Sequence, residues 1–300
     1  MKALVTGGAG FIGSHLVDRL VSEGNRVVVL DNETSTNGSA PRWNSGAENH
    51  KLDVCNYTAT LDLYDGVDVV FHMAADSSIQ SCITDPTSTI KNNVVGTATV
   101  LQCCKEKRVK RFVFSSSASV YGLCESVPTD ETQPKNPLNG YALSKSMGED
   151  LCKMYSNLYG LETVCLRYFN VYGERQPSKG QYAPVIGIFL NQVKNHSPLT
   201  VVGDGEQRRD FVHVSDVVDA NMKASTVLPF NRRNWGEVYN IGCGKNYSVN
   251  RVAELIGGEV YHLPPRTGEI RNSLSDSTKA NRELGWNPQV RLEDWISQHK

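Results

Sequence analysis

Short apolar, β-branched runs alternate with stretches of helical periodicity through the first half of the chain. The runs are Ala3 to Val5, Val27 to Leu30, Val67 to Phe71, Arg111 to Ser115 and Glu162 to Arg167. Between them, Phe11 to Glu23 sets Phe11, Ile12, Leu16, Leu20 and Val21 at helical spacing, and Asn93 to Glu106 and Tyr141 to Tyr155 also read as helices. Strands of this kind separated by helices predict βαβ units around a buried parallel sheet. The expected fold class is therefore α/β, with a Rossmann-type doubly wound sheet.

After Gly173 the pattern turns irregular, with GERQPSKGQYAP, a helix near Val185 to Asn195 and a strand-like LTVV before GDGEQRRDF. A smaller substrate-binding lobe is expected there. Phe211 to Ile241 reads as strand, helix, strand and is expected to return to the main sheet. The predicted division gives residues 1–173 and 211–243 to the dinucleotide domain, and 174–210 and 244–300 to the second lobe.

Composition narrows the choice of ligand. Lys plus Arg number 31 against 32 Asp plus Glu, a net charge of -1, which gives no general field favouring nucleic acid or an anionic membrane. An anionic ligand must be met by locally placed groups. Eight cysteines show no CxxC pair, and several lie in apolar runs, so they are read as reduced thiols rather than metal ligands. With no charged leader and no apolar run long enough to span a bilayer, a cytoplasmic enzyme is expected.

The first strand enters Thr6-Gly7-Gly8-Ala9-Gly10-Phe11-Ile12-Gly13 and then a helix, the context in which a glycine loop binds a dinucleotide. Gly7 suits the tight turn, Gly10 leaves room for the pyrophosphate, and Gly13 lets the helix approach the strand. The helix N-terminus adds amide donors. Asp31, eighteen residues beyond Gly13 at the end of the second strand, can accept from both ribose hydroxyls and would repel a 2'-phosphate. NAD is thus favoured over NADP.

Tyr141 and Lys145 lie four apart at the start of a predicted helix and share a face. As a base near neutral pH, the phenol must fall by roughly 3 from its usual value near 10, about 4 kcal/mol, which an adjacent ammonium and a cationic nicotinamide ring can supply. Alone this spacing is common in amphipathic helices. The upstream strand ending in SSSAS, at the carboxyl edge of the sheet where open α/β folds bind ligands, makes it chemical.

These motifs resemble the extended short-chain dehydrogenase/reductases, and among them the NAD-dependent nucleotide-sugar epimerases. The resemblance covers nearly the whole chain and rests on TGGAGFIG, LDN, HMAA, NNVVGT, SSSASVYG, YALSK, RYFNVYGERQ, GDGEQRRDFVHVSD, YNIG and PPRTGEIRNSLSD. It implies Ser117, Tyr141 and Lys145 as the catalytic triad, with Ser119 assisting. For NAD it implies Gly7, Gly10, Phe11, Ile12 and Gly13, with Asp31, Asn32, Asp53, Val54, Ala74, Ala75, Asn93 and Ser115. Asp53 alone reads equally as a helix N-cap.

For the nucleotide sugar the resemblance implies Arg209 and Arg266 on the diphosphate, Asn170 as an amide contact and Glu269 on the uridine ribose. Arg208 lacks the motif match and reads as a surface charge. Dehydratases of the family carry an acid pair where Ala118 and Ser119 stand here, so water loss is not expected, and a decarboxylase Glu is missing as well. Small Ser273 implies room for an N-acetyl group.

The implied activity is 4-epimerisation of a UDP-hexose through a 4-keto sugar, with UDP-GlcNAc/UDP-GalNAc admitted and UDP-Glc/UDP-Gal beside them. The alternatives are a UDP-glucuronate 4-epimerase and, in a different class, a dinucleotide-sensing binding protein without catalysis. A homodimer through the helices near Asn93 to Glu106 and Tyr141 to Tyr155 is expected by the same resemblance. Asp76 to Ser78 depart from the family's small or apolar run, and the residues alone leave open whether they touch the sugar or cap a helix.

Overall fold

The computed structural model describes residues 1–34, 40–77, 79–124, 126–178, 183–226, 236–265 and 270–300. Chain order gives β1 (Lys2–Thr6), α1 (Phe11–Ser22), β2 (Arg26–Asp31), β3 (Glu48–Lys51), α2 (Tyr57–Thr60), β4 (Val69–His72), α3 (Ile79–Thr84), α4 (Pro86–Ile90) and α5 (Gly96–Glu106). Next come β5 (Arg111–Ser117), α6 (Gly140–Tyr159), β6 (Glu162–Tyr168), β7 (Asn170–Tyr172), α7 (Val185–Lys194) and β8 (Leu199–Val202). The chain ends with β9 (Arg208–His213), α8 (Val214–Thr226), β10 (Glu237–Ile241), β11 (Asn246–Ser248), α9 (Val249–Ile256), β12 (Val260–Leu263), α10 (Thr278–Leu284) and α11 (Leu292–His299).

Seven strands form one sheet in the order β10-β6-β5-β4-β1-β2-β3, and every pairing in it is parallel. The doubly wound expectation is met. Alternation along the strands sends Ala3 and Val5 of β1, with Val27 and Val29 of β2, into one helix layer built partly on α1 and α8. Leu4, Val28 and Leu30 face the other layer, which contains Val100 of α5 and Cys152 of α6. Both faces are covered, which is why these strands read as unbroken apolar runs.

A third core, with Tyr172, Phe189, Val201, Phe211, Val252 and Trp295, lies under two small sheets, β11-β9-β7 and β12-β8. The chain passes between the main sheet and these small sheets more than once. β7 begins two residues after β6 ends and pairs with β9, while β10 returns beside β6 with Glu237 against Val164. The expectation for Phe211 to Ile241 is therefore corrected at its first strand: Phe211 belongs to β9 in the three-stranded sheet, and only β10 rejoins the main one.

α6 is placed by its ends and by one buried ion pair. The Asn139 side chain accepts the Ala142 N–H at 2.9 Å, and Gly160 closes the helix at φ 70°. Inside, Glu149 takes the Arg167 guanidinium through Nε and Nη2 at 2.7 Å each and the Ser116 hydroxyl at 2.6 Å. A carboxylate satisfied by three charge-assisted or buried donors locks α6 to β5 and β6. All eight cysteines are free thiols, as their apolar settings imply.

Candidate active site

One cavity of about 790 Å³ opens along the carboxyl edge of the main sheet. Its floor is the turn from β1 into α1. Gly7 adopts φ +68°, and a Cβ there would stand 2.7 Å from the Ala74 nitrogen. A Cβ on Gly13 would fall 2.1 Å from the Gly7 carbonyl oxygen, so neither position tolerates a side chain. At Gly10 a Cβ would meet only the Gly7 oxygen, at 3.3 Å, and would otherwise take up cavity space.

Gly10, Phe11, Ile12 and Gly13 line the cavity together, and α1 has neither a side-chain cap nor an acid in its first turn. Its N–H groups and dipole are thus available to an anion. Asp31 also lines the cavity, its carboxylate held by the Ala9 N–H at 3.0 Å and the Glu33 N–H at 2.8 Å. Asn32 reaches toward Asp53, Nδ2 to Oδ2 3.4 Å. Asp53 accepts the Cys55 N–H at 2.8 Å, while the N-cap of α2 is Asn56, so the capping reading of Asp53 does not hold. Val54, Ala74, Ala75 and Ser115 complete this part of the wall.

Asn93 lies behind the cavity wall rather than on it. It is 2% exposed, its Oδ1 accepts the Asp76 N–H at 2.7 Å, and its Nδ2 donates to the Asp76 carbonyl and the Ser144 hydroxyl at 2.9 Å each. A π-helical turn over Lys91–Val95 precedes α5, and it is Asn92 that lines the cavity. His72 is buried in the same region between the Thr6 and Thr97 hydroxyls at 2.7 and 2.9 Å. Burial, with the Lys145 charge second, pushes it down to about 3, so it stays a neutral structural link.

Tyr141 and Lys145 both face the cavity. Burial raises the pKa of the phenol, and the neighbouring Ser117 side chain works against that rise. The Ser117 hydroxyl also accepts the Ser119 N–H at 3.2 Å. Lys145 Nζ donates to the Ser115 carbonyl at 2.7 Å and lies 5.9 Å from the centre of the Tyr141 ring. Burial lowers this lysine from 10.5 to about 8. The lowering of the phenol expected from the sequence is thus not supplied by the chain alone.

The remaining residues gather at the edge of β9. Arg209 Nη1 and the Ser273 N–H both donate to the Arg208 carbonyl, at 3.0 and 3.1 Å, which sets Ser273 beside the guanidinium. Arg208 braces Asn246 through Nε and Nη2 at 2.9 and 3.1 Å, more than a solvated charge. The Asn170 amide is engaged by the Asp210 carbonyl at 2.9 Å, so it steadies the strand carrying Arg209. Asp210 is fully buried, accepts the Cys243, Gly244 and Ser275 N–H groups at 2.7, 2.9 and 3.0 Å, and is pushed up to about 6 by burial.

The Ser119 hydroxyl oxygen is buried without a hydrogen-bond partner among the described residues. Ser117, Ser119, Asn170, Arg209 and Ser273 are not among the residues lining the cavity, and Arg266 and Glu269 lie outside the described residues. The sequence reading missed Arg42, Tyr168 and Arg175 of the cavity wall. Arg175 is tied to Ser14 and Asp18 of α1 at 3.0 and 2.6 Å; its place at the loop after β7 was the available signal. No cluster of His, Cys, Asp and Glu among the described residues could hold a metal ion, and no described helix is long and apolar enough to cross a membrane.

Known proteins resemble this chain along nearly its whole length. The sequence model of the NAD dependent epimerase/dehydratase family matches residues 3–242. The UDP-glucose 4-epimerase of Mycolicibacterium smegmatis is 38% identical over 312 residues, spanning 99% of this chain and 96% of that one. Among solved structures, the UDP-glucose 4-epimerase of Thermotoga maritima with UDP-glucose superposes with a TM-score of 0.92 at 36% identity, covering 100% of this chain and 97% of that one. The UDP-N-acetylglucosamine 4-epimerase of Methanobrevibacter ruminantium, in complex with UDP-N-acetylmuramic acid, gives 0.91 at 31% identity, covering 99% and 96%.

Proposed function

The chain belongs to the NAD dependent epimerase/dehydratase family, and from that premise we propose that it inverts C4 of a UDP-linked hexose. The observation that carries this reading is Tyr141, flanked by Lys145, in the same cavity wall as the glycine loop and Asp31. NAD is the cofactor; when bound it would supply a reversible hydride acceptor and positive charge in the cavity. Gly7, Gly10 and Gly13 with the α1 N-terminus would hold its pyrophosphate, and Asp31 its adenosine ribose.

Tyr141 removes the proton of the sugar 4-hydroxyl and returns one to the 4-keto sugar once it has turned over. Ser117 orients the phenol and the hydroxyl. Lys145, fixed on the Ser115 carbonyl, contributes positive charge close to the ring and favours the phenolate. Arg209, with Arg266, meets the diphosphate, Glu269 the uridine ribose, and Asn170 braces the strand of Arg209. Ala118 offers no acid or base, so the dehydration branch of the family is not expected.

Ser273, beside Arg209, leaves space for an acetamido group, so UDP-GlcNAc/UDP-GalNAc are accepted together with UDP-Glc/UDP-Gal. With β7 and β9 in the small sheet, the proposed NAD-binding domain comprises residues 1–169 and 214–243, and the sugar lobe 170–213 and 244–300. A homodimer is part of the same proposal, supported by Leu143, Met147, Met154 and Leu158, 37 to 66% exposed on α6, and by Val95, 48% exposed. The test is incubation of the purified protein with a panel of UDP-sugars and chromatographic separation of the epimers. Tyr141→Phe is expected to retain NAD and lose turnover by at least about a hundredfold; substantial turnover in that variant would overturn the assignment.

A further inference from the structure

The loop after β7 grips the helix that begins at the glycine turn. Arg175 lines the cavity with its backbone at φ 65°, a conformation that a residue with a side chain keeps only where its surroundings fix it. Its guanidinium spans the Ser14 hydroxyl at 3.0 Å and the Asp18 carboxylate at 2.6 Å. Next to it, the Glu174 carbonyl accepts from His15 Nε2 at 2.8 Å. Two consecutive loop residues thus hold the first half of α1, directly behind the uncapped N-terminus that faces the cavity.

The loop is fixed in turn by the last helix of the chain. The Glu174 carboxylate accepts the Trp295 indole N–H of α11 at 2.8 Å, and the His213 and His299 imidazoles stand 3.4 and 3.3 Å from it. Trp295 is buried, stacked on His299 at 4.2 Å and set edge-on to Tyr172 at 5.2 Å, as part of the third core. The Glu174 side chain itself is 46% exposed, so shortening it cuts the link and leaves the core filled.

We propose that Glu174 is a positioning residue for the cofactor: the bond from Trp295 sets the loop, and the loop sets α1, whose N-terminus is where the NAD pyrophosphate would lie. Helix N-terminal amides bind an anion best when binding does not have to order them first. Without the link, α1 keeps its packing on the sheet and loses part of that preorganisation. The inference concerns the hold on NAD alone and is independent of which sugar the enzyme takes. It makes α11, remote in sequence from the glycine loop, a part of cofactor binding.

The experiment is calorimetric titration of the NAD-free protein with NAD, for the wild type, Glu174→Ala, Glu174→Gln, Trp295→Phe and the double variant of Glu174→Ala with Trp295→Phe, each checked for cooperative urea unfolding. Glu174→Ala and Trp295→Phe are each expected to weaken NAD roughly tenfold, as the loss of one hydrogen bond to a charged group implies. Glu174→Gln still offers an oxygen to the indole N–H and should lie within about threefold of the wild type. Because both single changes cut the same link, the double variant should fall within about threefold of either. Unchanged affinity in Glu174→Ala overturns the proposal. So does a roughly hundredfold loss in the double variant, which would mean two independent effects, and so does a Glu174→Gln as weak as Glu174→Ala. Should Trp295→Phe fail to fold, the contrast between Glu174→Ala and Glu174→Gln decides by itself.

Discussion

Replacing Lys145 by Met separates stability from turnover at one buried atom. Lys145 is 4% exposed, and burial is the main cause that brings its ammonium from 10.5 to about 8, with Cys152 and Glu149 acting the other way. Because the folded value lies below the unfolded one, the folded protein binds this proton less readily. The resulting penalty is fully present below pH 8 and fades as pH rises through 10.5, above which the amine is neutral in both states. At about 1.4 kcal/mol per pKa unit the full penalty is roughly 3 kcal/mol, of which about 2 kcal/mol is released between pH 7 and 9.5.

Methionine carries no proton there, so the variant lacks this pH dependence. Losing the donor to the Ser115 carbonyl adds an offset of about 1–3 kcal/mol that is independent of pH. The assay is urea unfolding of the NAD-free proteins in half-unit pH steps. Stability of the variant minus that of the wild type should fall by about 2 kcal/mol from pH 7 to 9.5, while turnover at pH 7 drops at least about a hundredfold. A difference that stays flat across the range would refute the argument that burial controls this ammonium.

Gly13→Ala drives a methyl into the Gly7 carbonyl, so NAD affinity measured by fluorescence titration should weaken at least about tenfold; unchanged binding would contradict the close approach. Glu149→Gln leaves the Arg167 charge buried with a neutral partner, and about 3–5 kcal/mol of stability should be lost in thermal or urea unfolding. Loss below about 1 kcal/mol would mean that the pair does not anchor α6. Ser273→Tyr narrows the space beside Arg209 and should shift turnover toward UDP-glucose over UDP-N-acetylglucosamine at least about tenfold, read from both kcat/KM values.

The buried strands were legible because apolar residues on both faces leave no polar alternation: Val27 to Leu30 reads directly as β2. β3 was not, since ENHK is a polar strand at the edge of the sheet, and β7, three residues long, carries no period to detect. Tyr141 and Lys145 stood out by their spacing of four only in company with the upstream SSSAS strand end and the glycine loop. A π-helical turn runs over Lys91–Val95, with Asn92 on the cavity wall and Asn93 in the interior, and no local spacing announces such a turn. Asp210 was passed over because burial of a carboxylate depends on three amides brought from distant segments, a satisfaction invisible in local sequence.

The return of β10 to the main sheet governs the order in which the molecule can be assembled. As the chain leaves the ribosome, β1 to β6 emerge first, yet the sheet keeps an open edge at β6 until residues 237–241 arrive to pair with it. β7, β8 and β9 emerge in that interval. The first-made part of the protein therefore waits with unpaired backbone groups exposed, a state prone to wrong pairing. Parallel partners so distant in sequence close slowly, and folding of the two lobes is joined into one event rather than completed in succession.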